Sequence, residues 1–277
     1  MSEITANELA IKTQGNAVRR EVAFRGGGFL DVPKPLYSWI AFAAILAVWQ
    51  AAITLGWIDP VFLPSPVAIV DALWQLTLSG DLWRHLSISL VRISSGWVIG
   101  SALGVLLGVV MGLTSMGRAI GMPLVSAIYP IPKIALLPLL ILWLGIGESP
   151  KVVTIASGVF FPSVIATLAG VDGASRNLIR MGQSFNMPMR SIIWKIILPS
   201  ALPGILAGFR ITVSIALILV VSAEMIGAQY GIGAFLLTAG NLMQSDDLMA
   251  GVVILSILGL LIGTGLTSLE RFFLRWR

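Results

Sequence analysis

The stretch Leu90-Val91-Arg92-Ile93-Ser94-Ser95-Gly96-Trp97-Val98-Ile99-Gly100-Ser101-Ala102-Leu103-Gly104-Val105-Leu106-Leu107-Gly108-Val109-Val110-Met111-Gly112-Leu113 decides the fold. It holds one charge in 24 residues, and as a helix rising 1.5 Å per residue it reaches about 36 Å, enough to cross a hydrocarbon core of about 30 Å. Within it Gly96, Gly100, Gly104, Gly108 and Gly112 recur at a constant spacing of four. That spacing keeps them on one helical face and makes a smooth stripe where another helix backbone can approach closely, the usual way helices associate in lipid. The stretch therefore reads as a membrane span with a packing face.

Five more apolar stretches of spanning length lie at 37–58, 123–144, 152–171, 203–223 and 248–269. The composition agrees: 57% of the 277 residues are hydrophobic and 11% charged, with a mean hydropathy of +0.94. A soluble globule carries about 25% charge, and disorder requires low hydrophobicity with high charge. Both are excluded, which leaves an all-α polytopic membrane protein with six transmembrane helices over residues 36–272. It is preceded by a polar segment, 1–35, that is expected to be a mobile tail and followed by a short C-terminus, 273–277.

Counting Lys and Arg between spans orients the chain. If both termini are cytoplasmic, that side holds thirteen: Lys12, Arg19, Arg20, Arg25, Lys34, Arg118, Arg176, Arg180, Arg190, Lys195, Arg271, Arg275 and Arg277. The other side holds only Arg84 and Lys151. The net charge of +5 thus reads as positive charge in cytoplasmic loops next to membrane lipid, with no nucleic acid as partner. Tryptophans 39, 57, 143 and 276 stand near span ends, as interfacial anchors do.

No cysteine and a single histidine, His85, leave no thiolate site, no metal set and no nucleophile-base pair. The chain is not expected to be an enzyme. The third stretch carries Pro123, Pro130, Pro132 and Pro138, and a helix so interrupted is tolerated at membrane depth only where protein or a cavity satisfies the freed carbonyls. Three span charges need an explanation, since Lys or Arg at mid-membrane costs about 2.5–3.5 kcal/mol on insertion scales. Lys133 lies in the interrupted stretch and either faces a cavity on a translocation pathway or is held by snorkelling or by an acid. Arg210 lies two turns into the fifth stretch and either faces the same pathway or anchors at the cytoplasmic surface. Arg92 stands near the outer end of its span and either faces such a cavity or sits at the interface. Glu224, before the glycine-rich run to Gly233, either pairs with a span arginine or belongs to an outer gate.

The connection 172–202 is longer than packing two spans requires. Its pattern reads as a short surface helix over 178–185, a break at Asn186-Met187-Pro188, and a second helix from Arg190 to Leu198. It ends in Leu198-Pro199, with Ile196 two positions earlier. The expected role is contact with another protein.

This connection resembles that of the membrane subunits of type I ATP-binding cassette importers, which carry Glu-Ala-Ala, three residues, Gly, nine residues, Ile, one residue, Leu-Pro. Aligned on Leu198-Pro199, the pattern places Ile196 on its isoleucine, Asn186 on its glycine, and Arg180, Met181 and Gly182 on Glu-Ala-Ala. The C-terminal half matches and the N-terminal half departs. Leu63-Pro64-Ser65-Pro66, Leu73-Trp74 and the run from Tyr129-Pro130-Ile131-Pro132-Lys133 to Gly145-Ile146-Gly147 narrow the resemblance to nitrate, sulfonate and taurine permeases. It covers about residues 36–272.

The resemblance implies the type I importer transmembrane fold and a second permease copy, forming a homodimer. It also implies two ATPase subunits that use ATP and Mg, and an extracytoplasmic substrate-binding protein. Residues 180–190 would couple to the ATPase, and alternating access would carry a small anion such as a sulfonate, taurine or nitrate across the bacterial inner membrane. The chain has no Gly-x-x-x-x-Gly-Lys-Ser/Thr stretch to cradle ATP phosphates, so no cofactor of its own is expected. An ATP-independent secondary transporter is the alternative, and it would show paired interrupted spans in two halves, a repeat absent from this sequence.

Overall fold

A computed structural model describes residues 22–24, 27–29 and 35–275. It contains eleven α-helices among those residues: α1 (Pro35–Thr54), α2 (Pro66–Ser79), α3 (Asp81–Leu113), α4 (Ser115–Ile128), α5 (Leu137–Leu144), α6 (Ser149–Asp172), α7 (Arg176–Ser184), α8 (Met189–Ile192), α9 (Leu198–Gly227), α10 (Ile232–Asn241) and α11 (Ser245–Phe273). The departure from helix is a two-stranded antiparallel hairpin, β1 (Val22–Phe24) with β2 (Gly27–Phe29), in the register Val22 opposite Phe29. The rest of the 1–35 tail and its five basic residues lie outside the described residues, as do Trp276 and Arg277. The chain divides into two units, residues 1–51 with the hairpin and most of α1, and residues 52–277 with the remaining elements.

Five helical segments are long and apolar enough to cross a membrane: α1, α3, α6, α11 and the continuous run Met189–Gly227. A sixth crossing exists if α4 and α5 count together, and these meet at 83°. The bend falls at Tyr129-Pro130-Ile131-Pro132, where two prolines lack the amide hydrogen that would continue the ladder. A 3-10 turn over Lys133–Leu136 joins the break to α5.

Two short helices occur that the hydropathy pattern does not announce, because neither is long enough to span. The N-cap of α2 is Ser65, whose Oγ accepts from the Ala68 amide at 3.1 Å, and Pro66 occupies the first helical position. The quoted Leu63-Pro64-Ser65-Pro66 run is thus a helix start. Gly80, at φ 85°, then ends α2 in a left-handed turn and lets α3 begin at once. α10 follows Gly231, which adopts φ 130° between α9 and α10.

In the second unit α6 lies between α3 and α9. All five stripe glycines of α3 face α6: a Cβ on Gly96 would fall 2.7 Å from Ile155, on Gly100 2.4 Å from the Ala156 carbonyl oxygen, on Gly104 2.6 Å from that of Phe160, on Gly108 2.6 Å from Thr167, and on Gly112 2.5 Å from Val171. On its other side, Gly170 lies against the Ala201 carbonyl, and Gly208 against Ala166. Close backbone approach maximises dispersion where no water remains to be expelled. Around this slab Ile93, Ile155, Val159, Ala216, Val220 and Ile254 form the main core. Trp97 ties α3 to α9, donating to Thr212 Oγ1 at 3.0 Å.

Between α8 and α9 the helix widens into a π-turn over Ile193–Ile197. Ile196 lies within it, and Leu198-Pro199 open α9, so the proline falls in a first turn where its missing amide hydrogen costs nothing.

Candidate functional site

Two ends of the second unit carry the chemistry. At one end, α3, α6, α9 and α10 converge on an ion network. Arg92 is 3% exposed and Glu224 1%, so each must be paired. Arg92 Nη1 donates to Glu224 Oε1 at 2.7 Å and to the Tyr230 carbonyl at 2.6 Å. Its Nε and Nη2 donate as a fork to the two oxygens of Glu148, at 2.5 and 2.7 Å. Glu224 in turn accepts from Ser89 Oγ at 2.8 and 2.9 Å and from the Gly233 amide at 2.9 Å. The Ile232 amide donates to Ser89 Oγ at 2.9 Å. One buried carboxylate therefore holds two elements of distant sequence and fixes the first turn of α10 against α9.

The glycines make this possible. A Cβ on Gly231 would fall 2.3 Å from the Glu224 carboxyl carbon, and one on Gly233 2.4 Å from the Val221 carbonyl oxygen. His85 stacks beside the same turn, its Nδ1 within 2.9 Å of the Gly231 carbonyl and 3.1 Å of the Gly231 amide, and Arg84 lies 3.7 Å above the Tyr230 ring.

Beside Arg92 opens a cavity of about 570 Å³ lined by Arg92, Glu148, Lys151, Gln229 and Tyr230 among others. Lys151 is 5% exposed; its Nζ donates to the Gly147 carbonyl at 2.9 Å and stands 3.6 Å from Glu148 Oε1. Glu148, just ahead of the membrane-crossing length of α6, is 61% exposed at its side chain. The Arg92 hydrogen bond holds its carboxyl below the ordinary carboxylate range, with burial opposing and Lys151 adding to the effect.

A pH dependence follows. A depressed folded-state value means that the Glu148 contribution is present above the unfolded value, about 4.3, and disappears as pH falls through the folded one. Thermal melts of detergent-solubilised protein from pH 6 to pH 3 should fall more steeply for wild type than for Glu148→Gln. Parallel curves would contradict the assignment.

At the opposite end lies the connection between α6 and α9. α7 and its C-cap present Leu178, Met181 and Phe185 as exposed apolar side chains, joined by Met189 after the break. Gly182 faces inward, and a Cβ there would meet the Ile196, Ile192 and Met187 side chains at 3.3, 3.4 and 3.5 Å, so the methyl of the resembled pattern's second alanine would require only small shifts. Asn186 adopts φ 54°, a left-handed conformation that asparagine tolerates better than other residues with a side chain. This explains physically why Asn can stand where the pattern has Gly. Arg180 and Arg190 are exposed, Pro188 caps α8, and Ile197 and Ala201 root the connection in a buried cluster with Val171, Ala174 and Ile205. Arg118 pairs with Asp172 at this end.

The remaining span charges go to neither site. Lys133 Nζ folds back onto the carbonyls of Ile128, Ile131 and Tyr129 at 2.7, 2.9 and 3.4 Å, with the Phe161 ring 4.6 Å away. It satisfies the carbonyls that the proline break releases. Arg210 is exposed and pairs with Glu270 at 2.6 Å and Thr267 at 3.3 Å. Of the charges singled out in the sequence, the structure brings Arg92 and Glu224 together and keeps Lys133 and Arg210 apart from them. Of the two readings of Arg92, cavity or interface, the structure buries it beside the cavity, because Glu148 and Glu224 both reach it. Glu148, Ser89 and Lys151 escaped sequence reasoning. The signal that could have found Glu148 is the need of a buried arginine for a counterion at the same end of the bundle.

Comparison with known proteins places this architecture. The sequence model described as "Binding-protein-dependent transport system inner membrane component" matches residues 100–276. The chain is 34% identical over 96% of its length, and 94% of the relative's, to the putative aliphatic sulfonates transport permease protein SsuC of Bacillus subtilis. It is 36% identical, over 84% of its length and 87% of the relative's, to the taurine transport system permease protein TauC of Escherichia coli. Among solved structures, the inward-facing MetNI methionine ABC transporter matches with a TM-score of 0.56 at 25% identity, over 71% of this chain and 95% of that one. An amino acid ABC transporter crystallised with histidines matches with a TM-score of 0.55 at 15% identity, over 74% and 98%, which concerns the fold alone. These findings set aside the secondary-transporter reading. The chain belongs to the binding-protein-dependent transport system inner membrane components, and is a multi-pass permease subunit of an ATP-binding cassette importer.

Proposed function

We propose that the chain carries a sulfonate-class small anion, taurine among the possible cargoes, as one of two identical permease copies. A pair of separate ATPase subunits uses ATP and Mg, a binding protein delivers the cargo from outside, and both termini face the cytoplasm. The single observation that carries this reading is the connection over 176–199. It is a helix, a left-handed break at Asn186 and a second helix, with Leu178, Met181 and Phe185 offered to a partner on one side and Ile197 rooted in the core on the other. Exposed apolar residues at helical spacing, rimmed by Arg180 and Arg190, suit insertion into a cleft of another protein. The basic residues that cluster at this end support its cytoplasmic placement. The sulfonate class rests on what the relatives are named for.

ATP binding that draws two such ATPases together would shift the permease between inward-facing and outward-facing arrangements, as a ligand with different affinity for two states must. The pathway, with Arg210 and Glu224 at its margins, runs between the two copies. Lys133 acts there by holding the bend between α4 and α5.

The test is reconstitution of the chain with its ATPase and binding protein in proteoliposomes, followed by uptake of radiolabelled taurine and ethanesulfonate with and without ATP. ATP-dependent uptake of either is expected. Uptake of other solutes with none of sulfonates would overturn the substrate class.

Coupling has its own test. Asn186→Gly should retain transport, because glycine adopts the left-handed conformation freely. Asn186→Val forces a β-branched residue to positive φ, at a cost of roughly 1–2 kcal/mol, and should lower the uptake obtained per ATP hydrolysed while leaving membrane insertion intact. Equal coupling in both variants would dissociate the break from energy transfer.

A further inference from the structure

The cavity beside Arg92 contains two buried cations and one exposed anion, and that imbalance of burial is the starting point. Arg92 and Lys151 are buried. Glu148 reaches both from a side chain that is mostly exposed, and it lines about 570 Å³ of space, within the roughly 300–1,000 Å³ usual for small-molecule sites. Its two oxygens take the Nε and Nη2 fork of Arg92, the arrangement by which guanidinium binds any planar or tripodal oxyanion.

The charge arithmetic around the cavity is specific. With Glu148 in place, Arg92 and Lys151 are balanced by Glu148 and Glu224. With Glu148 turned away, Glu224 would keep its bonds to Ser89 and the Gly233 amide, and the site would hold one net positive charge. A single negative charge restores neutrality. Glu224 serves the fold and Glu148 is the replaceable partner.

We propose that Arg92 and Lys151 form an anion-binding station of the permease, and that Glu148 occupies it as a built-in competitor which the sulfonate group of the substrate displaces. The proposal rests on the sulfonate reading above and adds the residues that meet the substrate. It explains why a carboxylate that is mostly exposed is nevertheless forked onto a buried arginine: the station is never left as a naked charge between transport events. An occupied station also lowers affinity for the incoming anion, since apparent binding is reduced by the fraction of the protein in the competent state. Weak retention allows release.

The experiment measures ethanesulfonate binding to the detergent-purified complex of permease and ATPase by calorimetry, with ethyl methyl sulfone as the uncharged isostere. Glu148→Gln keeps the shape and removes the competing charge, and should tighten ethanesulfonate binding at least about tenfold, equivalent to roughly 1.4 kcal/mol, with the sulfone unaffected. Adding Lys151→Met to Glu148→Gln should reverse that gain. Ethanesulfonate binding that is unchanged or weaker in Glu148→Gln, or a gain shared equally by the sulfone, would overturn the proposal. Uptake by the wild-type complex in proteoliposomes separates the two readings. If wild type imports ethanesulfonate and Glu148→Gln binds no tighter, this inference alone fails; if wild type imports no sulfonate, the substrate reading fails and takes this one with it.

Discussion

Glu224→Ala is expected to lower the stability of the permease by roughly 3–5 kcal/mol, the usual cost of removing one member of a buried ion pair. The size comes from what is left behind. Arg92 keeps its charge in a site 3% exposed, Ser89 Oγ and the Gly233 amide lose their acceptor, and only Glu148 and the Tyr230 carbonyl still answer the guanidinium. Glu224→Gln should cost less, since an amide oxygen can still accept from Ser89 or Gly233. The double variant Arg92→Leu with Glu224→Leu removes both charges and should recover much of the loss. The measurement is a thermal unfolding series in detergent for Glu224→Ala and Glu224→Gln, and for the cycle of Arg92→Leu, Glu224→Leu and the double variant. Additive losses in the cycle would mean that the two residues do not form the pair described.

The second large effect belongs to the glycine stripe. Gly100→Leu places a side chain where a Cβ alone would already fall 2.4 Å from the Ala156 carbonyl oxygen. The obstacle is backbone, which cannot rotate aside, so α3 and α6 must separate along much of their length. Overpacking of a tight core costs about 1–3 kcal/mol and at times more; a contact made by five glycines spaced four apart belongs at the upper end. Gly263→Ala on α11 is the control, because nothing lies within 4 Å of the added carbon and alanine is favoured over glycine in a helix by roughly 1 kcal/mol. Folded yield and melting temperature should fall sharply in the first and stay level or rise in the second. Equal behaviour would remove the stripe as the packing face.

What the sequence conveyed divides by range. The apolar stretches are local patterns, and so is the glycine register, whose period of four needs no partner to be seen. The break at Asn186 is local too, because Met187-Pro188 mark it. The Lys133 cap lay within reach, since its acceptors are two to five residues away and lie at the break that Pro130 and Pro132 mark. The Arg92 network is different: its partners lie 56 and 132 positions along the chain. Periodicity says nothing about which of several carboxylates arrives there. α2 and α10 were obscured for another reason, since a helix of 14 or 10 residues falls below the length at which hydropathy separates a span from a loop.

The contact between α3 and α6 has a bearing on motion. Packed helices slide past one another in small shear steps, and interlocked side chains accommodate such steps by changing rotamer. Glycine has no rotamer to change. Gly100 and Gly104 rest on carbonyl oxygens of the facing helix, so no set of neighbouring side-chain arrangements exists into which the pair could step. The two helices are therefore expected to travel as one piece. Labels placed across α3 and α6 are expected to keep a constant distance through the transport cycle, and a distance that changes between states would contradict it.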